Sequence, residues 1–183
     1  MEFRYATEAD APAMAEVLAA SHHDALTERQ RAEQGFVQGR FDAEVLRSMA
    51  RARELLVADD GGRVAGLLAL TEPAAITDPS PAVAGLLRAQ DLLEWESRPL
   101  RETRWLLYGP VVVDAAYRGR GVARALFTMA VAAASERADA VVAFIEAGNA
   151  PSWKAHVDGF GMTPLGDYAV GGRTYTAVAA PTV

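Results

Sequence analysis

The residues best placed to do chemistry lie in one stretch, Val111-Val112-Val113-Asp114-Ala115-Ala116-Tyr117-Arg118-Gly119-Arg120-Gly121-Val122-Ala123. An apolar run of the kind found in buried strands enters a glycine-bearing turn, and apolar residues then recur at helical spacing. Such a turn leaves several backbone N–H groups unpaired at the helix start, with the positive end of the helix dipole behind them. Donors gathered in this way suit phosphate oxygens. Gly119 and Gly121 matter because a side chain there would hold a phosphate away or forbid the required dihedrals. Arg118 and Arg120 add positive charge. Two other phosphate loops fit worse. No Gly-Lys-Ser/Thr follows, and Arg124 stands where a dinucleotide fingerprint has its third glycine. A bare Gly-x-Gly also marks ordinary helix starts, where the glycines only tighten a turn. The Arg-x-x-Gly-x-Ala spacing behind Val-Asp-x-x-Tyr tips the balance toward phosphate.

Arg118-Gly119-Arg120-Gly121-Val122-Ala123 matches the Arg/Gln-x-x-Gly-x-Gly/Ala motif of the GCN5-related N-acetyltransferases (GNAT), and Val113-Asp114-Ala115-Ala116-Tyr117 resembles that family's lead-in. The resemblance implies an α/β (mixed α+β) fold, a strongly twisted mixed sheet flanked by helices with a V-shaped cleft between its central strands. It implies acetyl coenzyme A in that cleft, its pantetheine arm paired with the backbone of Val111, Val112 and Val113. The pyrophosphate would rest on the amides of Arg118, Gly119, Arg120, Gly121, Val122 and Ala123. Asn149 occupies the family's position for a pantetheine contact, with Ser152 as its neighbour. Many members place a tyrosine seven residues after that asparagine to protonate the leaving sulfur. Here the position holds His156, a departure from the pattern, though an imidazole with an ordinary pKa could also give a proton. The alternative is that His156 packs at a helix end beside Trp153. Tyr108, Glu146 and Tyr117 are weaker candidates for the proton roles.

The activity implied is transfer of an acetyl group to the amine of a small-molecule or amino-acid-like acceptor. Cysteine is absent, so no thiol can relay the acyl group and direct attack in a ternary complex is expected. No metal is required. The alternative is a coenzyme-A-binding sensor or regulatory domain of the same fold without turnover, and a structural subunit without ligand is a third reading. Similar proteins often pair, so a homodimer is one option.

The elements that must position these residues are visible in outline. Phe3-Arg4-Tyr5 reads as a strand, and Asp10 as the cap of a helix bearing Met14, Val17 and Leu18. Asp42 reads as the cap of another, bearing Val45, Leu46 and Met49. Leu55–Ala58 and Val64–Leu70 flank Asp59-Asp60-Gly61-Gly62 as a hairpin. Residues 71–104 carry four prolines and a predicted helix over 83–96, and form the expected acceptor-site insertion of a single domain spanning 1–183. Glu94-Trp95-Glu96 with Arg98, Arg101 and Arg104 could line that site or form a solvated face. Trp105–Asp114 reads as a buried strand, bent at Gly109-Pro110. A helix over 121–137 follows, with Val122, Leu126, Met129 and Ala133 on one face. Ala140–Ile145 is another buried strand, Pro151–Val157 a short helix, and the segments around Gly171-Gly172 a closing hairpin in which Tyr168 and Tyr175 pack.

Composition narrows the partners. With 51% hydrophobic residues in 183, the chain can bury a core. Eighteen basic against 24 acidic residues give a net charge of −6, which argues against non-specific nucleic-acid binding. No apolar run is long enough to span a bilayer, and Met1-Glu2-Phe3-Arg4 lacks the pattern of an export signal, so a cytoplasmic protein without membrane contact is expected. Ser21-His22-His23-Asp24 offers imidazoles and a carboxylate, but neighbours on a helix point apart, which disfavours a metal site.

Overall fold

Uninterrupted apolar runs are the pattern of strands covered on both faces. In the computed structural model, which describes residues 1–182, every residue of Leu55–Ala58 and Val64–Leu70 is buried. They belong to β2 (Leu55–Asp59) and β3 (Val64–Thr71), an antiparallel hairpin in whose turn the Asp59 carboxylate accepts the Gly62 amide at 2.7 Å. β1 (Glu2–Tyr5) pairs antiparallel with β2. Of the helices between β1 and β2, α1 (Ala11–Ala20) buries Met14, Val17 and Leu18, and α2 spans Glu28–Gln34. In α3 (Ala43–Arg51) the expected cap is present, with Asp42 accepting from the amides of Glu44 and Val45. Asp10 does something else. It closes a 3-10 turn, Glu8–Asp10, and its carboxylate takes the Thr7 amide and hydroxyl and both terminal nitrogens of Arg4. The Arg4 guanidinium holds that carboxyl down to about 2. The same arginine reaches Asp59 at 2.8 Å, so one side chain ties the first strand to the hairpin turn.

The predicted helix over 83–96 is shorter. Ser80 caps α4 (Pro81–Ala89), and β4 (Glu94–Trp95) and β5 (Arg98–Pro99) then form a small hairpin. Its turn residues, Glu96 and Ser97, have φ of 50° and 64°, the left-handed pair a two-residue hairpin needs. Trp95 is buried in the core with Leu93 and Leu100, a tertiary demand that overrides the helical period.

β6 (Trp105–Val113) and β7 (Ala140–Glu146) are joined by α5 (Val122–Ala134). The buried row of α5 is Val122, Leu126, Ala130 and Ala134, a strict four-residue spacing, while Met129 and Ala133 are half-buried. α6 (Ala150–Trp153) passes into a wider π turn over Lys154–Gly159. β8 (Thr163–Val170) and β9 (Arg173–Pro181) close the chain as an antiparallel hairpin around Gly171-Gly172. The strands follow the order β1-β2-β3-β6-β7-β9-β8 in one mixed, mostly antiparallel sheet, with helices flanking it.

The chain forms two compact units. One comprises Met1–Arg31, Phe36–Leu70 and Tyr108–Ala130. The other comprises Ala32–Gly35, Thr71–Leu107 and the residues from Val131 onward. Met14, Leu46, Leu55, Leu67 and Val112 build the core of the first; Leu86, Leu93, Trp95, Trp105 and Tyr175 build that of the second.

Candidate active site

The first unit holds the glycine turn. At the end of β6 the Asp114 amide donates to Ala65 O at 2.9 Å, and its carboxylate accepts the Ala116 amide at 2.8 Å, starting a 3-10 turn over Ala115–Tyr117. Gly66 of β3 makes this approach feasible. A Cβ there would stand 2.9 Å from Val112 O and 3.1 Å from a Val122 methyl. Gly119 and Gly121 have φ of 73° and 78°, which side-chain-bearing residues rarely adopt, and no atom lies within 4 Å of where their Cβ atoms would be. The first bond of α5 runs from the Ala125 amide to Gly121 O at 3.0 Å. Ahead of it, the amides of Gly119, Arg120, Gly121, Val122 and Ala123 donate to no group among the described residues. Among the described residues these amides are left without an acceptor.

Arg118 donates its Nε–H to Val113 O at 3.3 Å, turning back along the strand. Tyr117 is buried, and its hydroxyl donates to Asp60 in the β2–β3 turn at 2.9 Å. That acceptor holds its proton more tightly than usual, so Tyr117 is no ready acid. The guanidinium groups of Arg63 and Arg120 each lie 5.3 Å from its ring centroid. Spacing gave no hint of Asp60 and Arg63, which arrive from a hairpin distant in sequence. Tyr108 is 2% exposed, edge-on to Phe127 of α5 at 5.8 Å. Burial pushes its hydroxyl far above the ordinary value, so it stays protonated.

In the second unit the structure brings Asn149, Ser152 and His156 together. Asn149 caps α6, its side-chain oxygen accepting the Ser152 amide at 3.3 Å. His156 Nδ1 lies 2.8 Å from Ser152 O and 3.3 Å from Ser152 Oγ. A carbonyl can only accept, so Nδ1 carries the hydrogen and Nε2 the lone pair. His156 is 7% exposed, and its ring meets Phe160 edge-on at 5.3 Å. Burial pushes its pKa below the ordinary value, against the smaller opposing pull of the Ser152 carbonyl, so the ring is neutral at neutral pH. The ordinary pKa assumed from sequence therefore does not hold. Trp153, Asn149 and Thr176 border a depression of about 280 Å³ at the end of β7. Glu146, at that end, takes the Arg173 guanidinium at 3.0 and 3.3 Å, an ion pair rather than an exposed acid.

Among the remaining candidates, Trp95 is buried, Arg101 pairs with Asp91, and Arg104 pairs with Asp139 at 2.6 Å. Tyr168 stacks on Tyr175 at 5.4 Å, which is packing. His22 donates from Nε2 to Gln38 O at 3.0 Å and accepts the Asp24 amide at Nδ1, so both ring nitrogens serve the backbone. Among the described residues, no group of three or more His, Asp or Glu is placed to hold a metal ion.

The fold is shared with solved structures that include an N-acetyltransferase. A ribosomal-protein-alanine N-acetyltransferase from Brucella melitensis superposes with a TM-score of 0.64 at 21% identity, over 99% of each chain. The acetyltransferase yncA from Salmonella typhimurium, solved with its cofactor acetyl-CoA, gives 0.65 at 19% identity over 100% of this chain and 94% of that one. Ard1 from Thermoplasma volcanium gives 0.66 at 11% identity over 100% and 97%. At these identities the likeness establishes the fold alone. No curated protein is significantly similar in sequence. The acetyltransferase (GNAT) family model matches residues 16–162, most of the length and all of the glycine turn, and the chain belongs to that family.

Proposed function

We propose that this protein is an acetyl-coenzyme-A-dependent N-acetyltransferase acting on the amine of a small-molecule or amino-acid-like acceptor, by direct attack in a ternary complex. One observation carries the reading: five consecutive amides, Gly119 to Ala123, have no acceptor among the described residues at the start of α5, in a turn shaped by two left-handed glycines, Gly119 and Gly121. That is a seat for a diphosphate. Family membership, and the acetyl-CoA in the yncA structure, supply the reason to make that diphosphate coenzyme A. Under this reading Arg118, Gly119, Arg120, Gly121, Val122 and Ala123 hold the diphosphate. The backbone of Val111, Val112 and Val113 pairs with the pantetheine arm, and Asn149 and Ser152 touch it.

Attack on a thioester requires a neutral amine, support for the oxyanion, and a proton for the leaving thiolate. Burial divides the two candidate groups. Burial makes Tyr108 hold its proton too tightly for a ready acid, as at Tyr117, so it would only donate a hydrogen bond to the sulfur, whereas His156 is kept neutral and suits an acceptor of the amine's proton. Residues 71–104 contribute to the acceptor side within a single functional domain. The protein works in the cytoplasm, as a monomer or homodimer, without metal, nucleic acid or membrane; no helix among the described residues is long and apolar enough to cross one.

A thiol-release assay over a panel of primary amines tests the reading. Acceptor-dependent release with intersecting double-reciprocal lines is expected. Parallel lines with a trapped acyl-enzyme would contradict direct transfer. A second reading, a coenzyme-A sensor without turnover, is favoured by the inward bond of His156 to Ser152. Thermal stabilisation by coenzyme A with no thiol release from any amine would select it.

A further inference from the structure

The ring of Tyr168 packs in the second unit, but its hydroxyl does nothing for the fold. The residue is 8% exposed, and its hydroxyl oxygen is buried with no hydrogen-bond partner among the described residues. Thr182, buried in the same unit, gives its hydroxyl to Ala138 O. A buried hydroxyl left unpaired costs stability, and a phenylalanine would fill the same space without that cost. The neighbours of Tyr168 show what such a donor could serve. In register, Glu146 of β7 stands opposite Tyr175 of β9, and Tyr175 opposite Tyr168 of β8, so the three side chains form one row on one face. Phe144, two residues before Glu146 on that face, meets Tyr175 edge-on at 5.7 Å, and Tyr175 stacks on Tyr168 at 5.4 Å. Two strand spacings, about 10 Å, separate the backbones at Glu146 and Tyr168. The row thus has a carboxylate at one end, aromatic rings along it and an unused donor at the other. The cover over the donor is thin. α4 crosses the Tyr168 ring at Gly85, where a Cβ would stand 2.9 Å from the ring. A nine-residue helix with a glycine at its centre is weakly held by its own backbone, and such segments open locally.

Building on the reading of this protein as an N-acetyltransferase, we propose that Tyr168 determines acceptor specificity: its hydroxyl donates a hydrogen bond to an oxygen at the far end of an amine with a flat, apolar body. The amine lies at the Glu146 end of the row and the oxygen at the Tyr168 end. The class is an amine on a short chain whose aromatic ring bears an oxygen away from the nitrogen. Burial, with a smaller push from Tyr175, raises the Tyr168 hydroxyl well above its ordinary value, so it keeps its proton and serves as a donor. An acceptor without the oxygen leaves that donor unpaired, which is how a buried hydroxyl discriminates between otherwise similar ligands.

Steady-state acetylation of 2-phenylethylamine and tyramine, which differ by one ring oxygen, tests this with the full chain and saturating acetyl-CoA. The wild type should favour tyramine by about tenfold in kcat/KM, carried by KM, since one neutral hydrogen bond is worth about that much. Tyr168→Phe should bring the two amines within about twofold by weakening tyramine alone, with kcat unchanged. Without any ligand, the same variant should unfold at a higher urea midpoint than wild type, because it removes an unpaired hydroxyl. Tyr5→Phe, at a half-buried tyrosine of β1, should match wild type in every reading. Equal kcat/KM for the two amines in the wild type, or a preference unchanged in Tyr168→Phe, overturns the proposal. So does a lowered urea midpoint in Tyr168→Phe, which would show the hydroxyl bonded within the fold. Acetylation of other amines but of neither probe also overturns it, while the N-acetyltransferase reading stands. Thiol release from no amine at all overturns that reading, and the proposal with it.

Discussion

The turn Gly119–Ala123 and the segment Asn149–Gly159 use polar groups in opposite ways. In the turn, the donors are main-chain amides with no partner among the described residues. Along the segment, polar side chains are occupied by their own helix: Asn149 on the Ser152 amide, His156 Nδ1 on the Ser152 carbonyl. A ligand can fill the turn without breaking any protein bond. At the segment, a ligand meets side chains already bonded within the helix and a histidine kept neutral by burial. The backbone site is thus expected to govern affinity, and the side-chain site to govern rate.

The largest effect should come from breaking the turn. Gly121→Val places a branched side chain at φ 78°, a backbone conformation such residues rarely adopt, in the middle of the run of amides. The backbone strain should lower stability by about 1–3 kcal/mol, and coenzyme A affinity should fall by about a hundredfold or more once the donors are tilted and covered. Titration calorimetry, with circular dichroism to confirm folding, is the check. Affinity within a few-fold of wild type would mean that the amides are not the seat.

The second site is probed by His156→Phe. If the ring moves a proton, kcat should fall by about a hundredfold while coenzyme A affinity stays near wild type, because proton transfer by a placed side chain contributes about that much. An unchanged kcat would remove His156 from the chemistry and leave it a packed ring against Phe160.

The same variant has a signature in acid. The buried ring of His156 has a lowered pKa, whereas in the unfolded chain it protonates at its ordinary value. Between those two values the unfolded state binds the extra proton. The stability linked to His156 is therefore fully present above the unfolded value and is lost as pH falls through the folded one. Denaturant midpoints measured from pH 7 to pH 5 should drop less in His156→Phe than in wild type. Parallel curves would show that the ring is not held neutral by burial.

What the sequence discloses follows the same division. The strands β2, β3, β6 and β7, the turns at Asp59–Gly62 and Gly171-Gly172, the Asp42 cap and the glycine turn at Gly119–Gly121 are local, each written in periodicity or in residues that tolerate special dihedrals. What stays hidden is tertiary. Asp10 looks like a helix cap, but Arg4 and Thr7 claim its carboxylate for the turn before. Trp95 reads as part of a helix until the core pulls it into a hairpin. Gly66 looks like any strand glycine, and only its approach to Val112 O explains it. The candidate site divides likewise: Gly119 and Gly121 announce themselves, whereas the neutrality of His156 depends on burial that no spacing encodes.

The smallest effect, and the one that sharpens the comparison most, belongs to Arg118→Ala. Arg118 is the first residue of the family motif, which tempts one to give it the diphosphate. Its Nε–H, however, is already turned to Val113 O at 3.3 Å, and it is solvent-exposed. An exposed charge of this kind contributes about 0.2–1 kcal/mol, so its loss should weaken coenzyme A by only about two- to fivefold, and by less at high salt. The comparison rests on this ranking. A larger loss in Arg118→Ala than in Gly121→Val would place the diphosphate on side-chain charge rather than on main-chain donors, and the turn would then differ from the Asn149–Gly159 segment in position alone.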